Sequence, residues 1–214
     1  MNFTESILEE AALDWFAELG YTVLRGPDIA PDGIAPERAD YSEILLADRL
    51  RNAITALNPH LPHAARQEVF RLVSRPDHPV LLENNRLVHR LLTEGVEISY
   101  QADDGTTKHD LARLMDLADP TANEFLAVNQ FTIIEGGQNR RPDILIFVNG
   151  LPLAILELKN PADATATLKS AFNQIQTYKS QIGSLFPYNA IMVISDGLQA
   201  RVGTLTSDWE RFQP

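Results

Sequence analysis

Asp143, Glu157 and Lys159 sit inside the two most apolar segments of the chain, PDILIFV and LPLAILELK, on either side of an Asn149-Gly150 turn. Charges are expensive in such surroundings unless something joins them. Strands as uniformly apolar as these are usually covered on both faces, so a solvated polar face offers these side chains little relief. Two carboxylates brought together there repel each other and resist desolvation, unless a cation lies between them. A hard divalent ion such as Mg²⁺ suits such oxygen ligands. A neighbouring lysine would then act on an anion. An acid pair, a lysine and a divalent metal on rigid strands suit phosphodiester hydrolysis, in which the metal neutralises phosphate oxygens and the lysine orients water or stabilises developing charge.

Whether the three charges can meet is a question of parity. Side chains alternate faces along a strand, so Glu157 and Lys159 share one. A two-residue turn at Asn149-Gly150 pairs Asp143 with Leu156 and puts Asp143 and Glu157 on opposite faces. A three-residue loop, or one bulge, pairs Asp143 with Glu157. A shared site therefore requires an odd residue in the ladder. In the alternative reading the charges are structural: they point to solvent, or Lys159 pairs with one acid.

The elements that must position these residues can be read along the chain. Apolar residues at helical spacing, Ile7, Leu8, Ala11, Ala12, Trp15, Phe16 and Leu19, predict a helix over 3–19 that stops at Gly20. A short strand follows over 21–24, and the Gly- and Pro-rich stretch 25–40 predicts a loop. Helices are expected over 41–57 with Ser42 as N-cap, over 63–73 and over 79–92. Residues 96–101 and 109–118 lean towards strands. FLAVNQFTII, PDILIFV and LPLAILELK read as three strands. A helix capped by Asp163 or Thr165 should run to about Ile182, with another strand over 188–195. This predicts an α/β fold, with a central mixed sheet flanked by helices and a mostly helical insertion over about 25–120. The core would lie in about 1–24 and 121–205 of one 214-residue domain.

Composition narrows the class. The chain is 44% hydrophobic, 22% charged and free of cysteine, which excludes disulfides and thiolate metal sites. No apolar run approaches about 18 residues, so no membrane partner is expected. The acidic start MNFTESILEE lacks the basic opening of a signal peptide, and a cytoplasmic location is expected. His60 and His63 have no evident third ligand for zinc. No G-x-S-x-G elbow is present. The net charge of −11 argues against nucleic acid, but its distribution is uneven. Residues 1–137 hold 11 Lys and Arg against 23 Asp and Glu, whereas residues 138–201 hold six against four. The segment with the charged strands is locally basic.

Pro142-Asp143 followed by Glu157-x-Lys159 resembles the PD-(D/E)xK nuclease superfamily. Gln174 and Tyr178, at i and i+4 of the following helix, resemble the QxxxY element of RecB-type nucleases. AALDWFAELGY, NEFLAVNQFTI, RPDILIFVNGLPLAILELKNP, LFPYNAIMVISDG and ARVGTLTSDWERF resemble the N-terminal endonuclease domain of type I restriction enzyme R (HsdR-type) subunits over most of the chain.

The resemblance implies a restriction-endonuclease-like core and Mg²⁺-dependent cleavage of double-stranded DNA, with Mn²⁺ as a possible substitute. Asp143 and Glu157 would be metal ligands, Lys159 the catalytic lysine, and Gln174 and Tyr178 supports that help place the site on DNA. An acid from the first helix, Glu5, Glu9 or Glu10, often joins such sites, and the spacing to Gly20 favours Glu9 or Glu10. The family implies assembly with methyltransferase and specificity subunits, which would read the DNA sequence. It also implies ATP-driven translocase domains in the full-length subunit. No GxxxxGK[ST] phosphate loop occurs here, so ATP is not expected to bind this chain, which looks like a fragment or stand-alone version of the nuclease part. The rival function is a non-catalytic interaction module that docks the motor subunit to its partners.

Overall fold

The computed structural model describes residues 5–102, 104–160 and 167–214. Helix α1 (Glu5–Glu18) is followed by strand β1 (Thr22–Arg25). Gly20, at φ +90°, supplies the left-handed residue that ends the helix. Next come α2 (Ala47–Leu57), α3 (His63–Ser74), α4 (Leu81–Glu94) and a hairpin of β2 (Val96–Gln101) and β3 (Thr107–Ala112). The remainder holds β4 (Phe125–Asn129), β5 (Ile133–Glu135), β6 (Gln138–Arg140), β7 (Ile144–Val148), β8 (Leu151–Leu158), α5 (Leu168–Gln181), β9 (Ile191–Ser195) and β10 (Ala200–Gly203).

Six strands form one mixed sheet in the order β1-β4-β7-β8-β9-β10. β1–β4 and β8–β9 pair in parallel, and the other neighbours are antiparallel. The expected mixed sheet flanked by helices is present.

Alternation along the central strands divides the apolar residues between two layers. Ala127, Ile144, Ile146, Ala154 and Leu156 face α1 through Ala12 and Leu13. Leu126, Val128, Leu145, Phe147 and Ile155 face the other way, against α5 and helices α2–α4. β7 is buried along its whole length because it has a layer on each side. On α5 the arc Leu168, Ala171, Phe172 and Ile175 is buried at helical spacing. The Leu, Phe and Ile side chains among them each contribute about 1.5–3 kcal/mol relative to exposure. Asn85 of α4 donates to the carbonyls of Phe186, Pro187 and Asn189 at 3.0, 3.2 and 2.8 Å, tying the helical segment to the chain that follows α5.

Several boundaries differ from expectation. The helix expected from residue 41 starts at Ala47, and Ser42 does not cap it. The Ser42 N–H instead bonds Asp40 Oδ1 at 2.7 Å, and the Leu46 N–H donates to Gly150 O at 3.1 Å, which keeps the preceding residues out of the helix. FLAVNQFTII is two strands, broken at Gln130, where φ is +54°. β3 stops at Ala112 rather than near 118. β6 and β10 are additional short strands. Asp163 and Thr165 lie outside the described residues. The N-cap of α5 is Thr167, in a reciprocal capping box with Ser170.

Candidate active site

The hairpin of β7 and β8 settles the parity question. Asn149 and Gly150 have φ of +53° and +80°, the signature of a two-residue type I′ turn, and Val148 pairs with Leu151 across it. That turn alone would separate Asp143 from Glu157. The register then shifts: Phe147 pairs with Pro152, but Ile146 pairs with Ala154, leaving Leu153 as an extra residue. Pro152 is tolerated beside such an irregularity because it has no N–H to offer the ladder. Beyond the bulge Ile144 pairs with Leu156, so Asp143 and Glu157 fall opposite each other on the α5 face.

The site lies at the end of the sheet where β4 and β8 finish and β7 begins. Its backbone is fastened from three sides. Gln130 N–H donates to Asp143 O at 2.9 Å, Lys159 N–H donates to Ser195 O at 2.8 Å, and Leu158 N–H donates to the Asp143 carboxylate (Oδ2) at 2.7 Å. Lys159 Nζ donates to Glu157 Oε1 at 2.8 Å, to Leu158 O at 3.0 Å and to Glu5 Oε1 at 3.2 Å.

Glu157 is 0% exposed. Its Oε2 is buried with no hydrogen bond of normal geometry among the described residues, although the Tyr178 hydroxyl is near enough to favour the ionised form. Burial, then the charge of Asp143, push the Glu157 carboxyl up to about 8 against the pull of Lys159. Burial likewise pushes Asp143 up to about 6, against the Leu158 hydrogen bond and the charge of Lys159. Burial acts to lower Lys159, but Glu157, Glu5 and Asp143 together outweigh it and raise its pKa.

Gln174 and Tyr178 meet on α5: Gln174 Nε2 donates to the Tyr178 hydroxyl at 2.6 Å. Tyr178 is buried and held above the usual phenol range, first by desolvation and then by the charge of Glu157. The structure thus brings Asp143, Glu157, Lys159 and Tyr178 together, with Gln174 touching the group through Tyr178.

The three first-helix acids separate. Glu10 is exposed. Glu5, half exposed, reaches Lys159. Glu9 is buried, and its two oxygens accept from Asn129 Nδ2, at 2.6 Å, and from Gln130 Nε2. The spacing to Gly20 favours Glu9 or Glu10, yet Glu5 is the acid of the three that contacts the lysine. Asn129 and Gln130 were missed altogether. Their only signal is a polar pair, NQ, interrupting an apolar run.

Asp143 and Glu157 are the two described carboxylates that line up in the ladder, and among the described residues no group of three His, Asp or Glu is placed to hold a metal. Two carboxylates suffice for Mg²⁺, which keeps several waters and takes its remaining ligands from phosphate. The oxygen donor set and the unsatisfied Glu157 Oε2 fit such an ion.

Comparison with known proteins decides the family. The profile described as "Type I restriction enzyme R protein N terminus" matches residues 2–211. The chain belongs to this family. It is 39% identical over 211 residues to the type I restriction enzyme HindI endonuclease subunit of Haemophilus influenzae, a match covering 98% of this chain and 20% of that subunit. The MjaIXP chain of Methanocaldococcus jannaschii is 35% identical over 209 residues, covering 96% and 20%. The type I restriction enzyme SauCOLORF180P endonuclease subunit of Staphylococcus aureus is 32% identical over 148 residues, covering 62% and 16%. The chain therefore spans about a fifth of the length of the first two relatives. It corresponds to the N-terminal region of type I restriction enzyme R proteins. No helix among the described residues is long and apolar enough to cross a membrane.

Proposed function

We propose that this chain is the nuclease part of the R subunit, hydrolysing phosphodiester bonds of double-stranded DNA with Mg²⁺, or Mn²⁺ in its place. The observation that carries this reading is the Leu153 bulge, which places Asp143 opposite Glu157 with Lys159 in contact. A buried acid pair is costly in a fold that has no use for it. Asp143 and Glu157 would hold the ion, which supplies charge neutralisation at the phosphate and a lowered pKa for the attacking water. Lys159 would turn from Glu157 towards the phosphate oxygens and stabilise the charge that develops there. Tyr178, held by Gln174, keeps Glu157 in place. Residues 1–214 would act as one nuclease domain with residues 25–120 inserted. The working enzyme would be assembled in the cytoplasm with methyltransferase and specificity subunits, and ATP would be used elsewhere in the full-length subunit.

The test is made in the assembled complex with full-length R subunit. Asp143→Ala and Lys159→Ala should each lower DNA cleavage by at least about 10²-fold, with unchanged assembly. Undiminished cleavage by both variants overturns the reading. A Mn²⁺ binding heat should disappear in Glu157→Gln. A wild-type subunit with no Glu157-dependent heat would instead favour a docking module in which the charges are structural.

A further inference from the structure

Gln130 is one of two non-glycine residues with positive φ among the described residues, and the other, Asn149, is the turn residue of the β7–β8 hairpin. A left-handed backbone is uncommon for glutamine and is kept only where the surroundings impose it. Asn149 is a preferred residue for its turn. Gln130 is not, so its conformation has another cause.

That cause lies in what its side chain reaches. Successive residues of a strand point to opposite faces. Asn129, the last residue of β4, pairs with Ile144 and so faces α1. An extended Gln130 would point away, towards α5. The left-handed turn brings both amides to one carboxylate: Asn129 Nδ2 donates to Glu9 Oε1 at 2.6 Å, and Gln130 Nε2 donates to Glu9 Oε2. The arrangement leaves Asn129 Oδ1 buried with no donor among the described residues, so the amide is turned towards Glu9 at some cost. Meanwhile Gln130 N–H donates to Asp143 O at 2.9 Å. Glu9 belongs to the helix that, one turn earlier, presents Glu5 to Lys159.

We propose that Gln130 is a positioning residue of the active site. Together with Asn129 it forms an amide fork that clamps α1 through Glu9, and through its own N–H it fixes the backbone of Asp143. One left-handed residue thereby ties α1 to the residue that leads into β7. Hydrogen bonds behind a ligand set its orientation, and losing them commonly costs about 10–100-fold in metal affinity. The inference rests on the proposed metal site.

The test uses full-length R subunit, with Mn²⁺ affinity read by calorimetry and cleavage read in the assembled complex. Gln130→Gly keeps the left-handed backbone and removes the amide. It should weaken Mn²⁺ about 10-fold or more and lower kcat more than it raises KM for DNA, at near-native thermal stability. Gln130→Glu puts a second carboxylate against Glu9 and should weaken Mn²⁺ further. Adding Glu9→Gln to it restores a donor–acceptor pair of reversed polarity and should recover most of the loss. Wild-type Mn²⁺ affinity in Gln130→Gly overturns the fork, as does failure of the double exchange to recover any affinity. Absence of Mn²⁺ binding in the wild-type subunit sinks the metal site itself, a separate result.

Discussion

A carboxyl group with no exposure and one unsatisfied oxygen, as at Glu157, favours its neutral form, and Asp143 does so less strongly. Both folded values, about 8 and about 6, lie above the ordinary values of 4.5 and 3.8, so the folded metal-free protein binds more protons than the unfolded chain. The stability these groups contribute is full at acidic pH, below the unfolded values. It is lost as pH rises through about 6 and then about 8. Glu157→Gln removes the larger effect. In metal-free buffer at pH 8 it should be more stable than the wild type by on the order of 1–3 kcal/mol, and about equal at pH 4. At this chain length each kcal/mol corresponds to about 2–4 °C in Tm. Thermal melts from pH 5 to 8 check this, and a variant whose midpoint falls with pH as steeply as the wild type contradicts it. Metal competes with these protons, so the gain in Tm from Mn²⁺ should grow between pH 6 and 8 and vanish in the variant. Lys179 falls among the apolar positions of α5, and its Nζ donates to Leu205 O at 2.9 Å and to Gln176 Oε1 at 3.2 Å, anchoring the chain beyond β10 to α5.

At the level of elements the hairpin is the part on which the site depends. Gly150 has φ +80°, and a Cβ there would stand 2.6 Å from Leu46 O and 2.7 Å from Leu50 N. Gly150→Ala therefore combines backbone strain with a clash against the start of α2, and should cost about 2–4 kcal/mol. A shift in the denaturation midpoint at constant m-value reads it, and a stability within 0.5 kcal/mol of wild type is the contrary result. The turn was legible from Asn149-Gly150, and the need for an odd residue followed from alternation. The means was not legible, because a bulge at Leu153 depends on how β8 is pulled between β7 and β9, where Ala190 N–H takes Leu153 O at 2.7 Å. The three strands and α5 were readable from local periodicity. The break at Gln130 was not, since glutamine has no left-handed preference of its own and the conformation comes from Glu9, far away in sequence. The start of α2 was misplaced for the same reason: Leu46 is held by the hairpin turn, a contact that no local pattern encodes.

Across the whole molecule, charge is set against the proposed substrate. The net charge is −11, and the excess of acids lies in residues 1–137. DNA affinity grows with the number of phosphates neutralised by Lys and Arg. Near the site, Lys159 is already engaged by two acids, and Lys169 lies over the rings of Phe172 and Trp209. Arg140 donates to Gln181 at 2.5 Å. Acids outnumber Lys and Arg by 29 to 18, so this chain by itself should bind DNA weakly. An ion between Asp143 and Glu157 removes negative charge where the phosphate must sit. With Lys159→Ala used to prevent cleavage, Mg²⁺ should therefore strengthen DNA binding about 10-fold or more, measured by fluorescence anisotropy at fixed ionic strength. The enhancement should be absent when Asp143→Asn and Glu157→Gln are added. Binding indifferent to Mg²⁺, or equally enhanced without the two acids, would mean that this sheet end is not where the duplex is held.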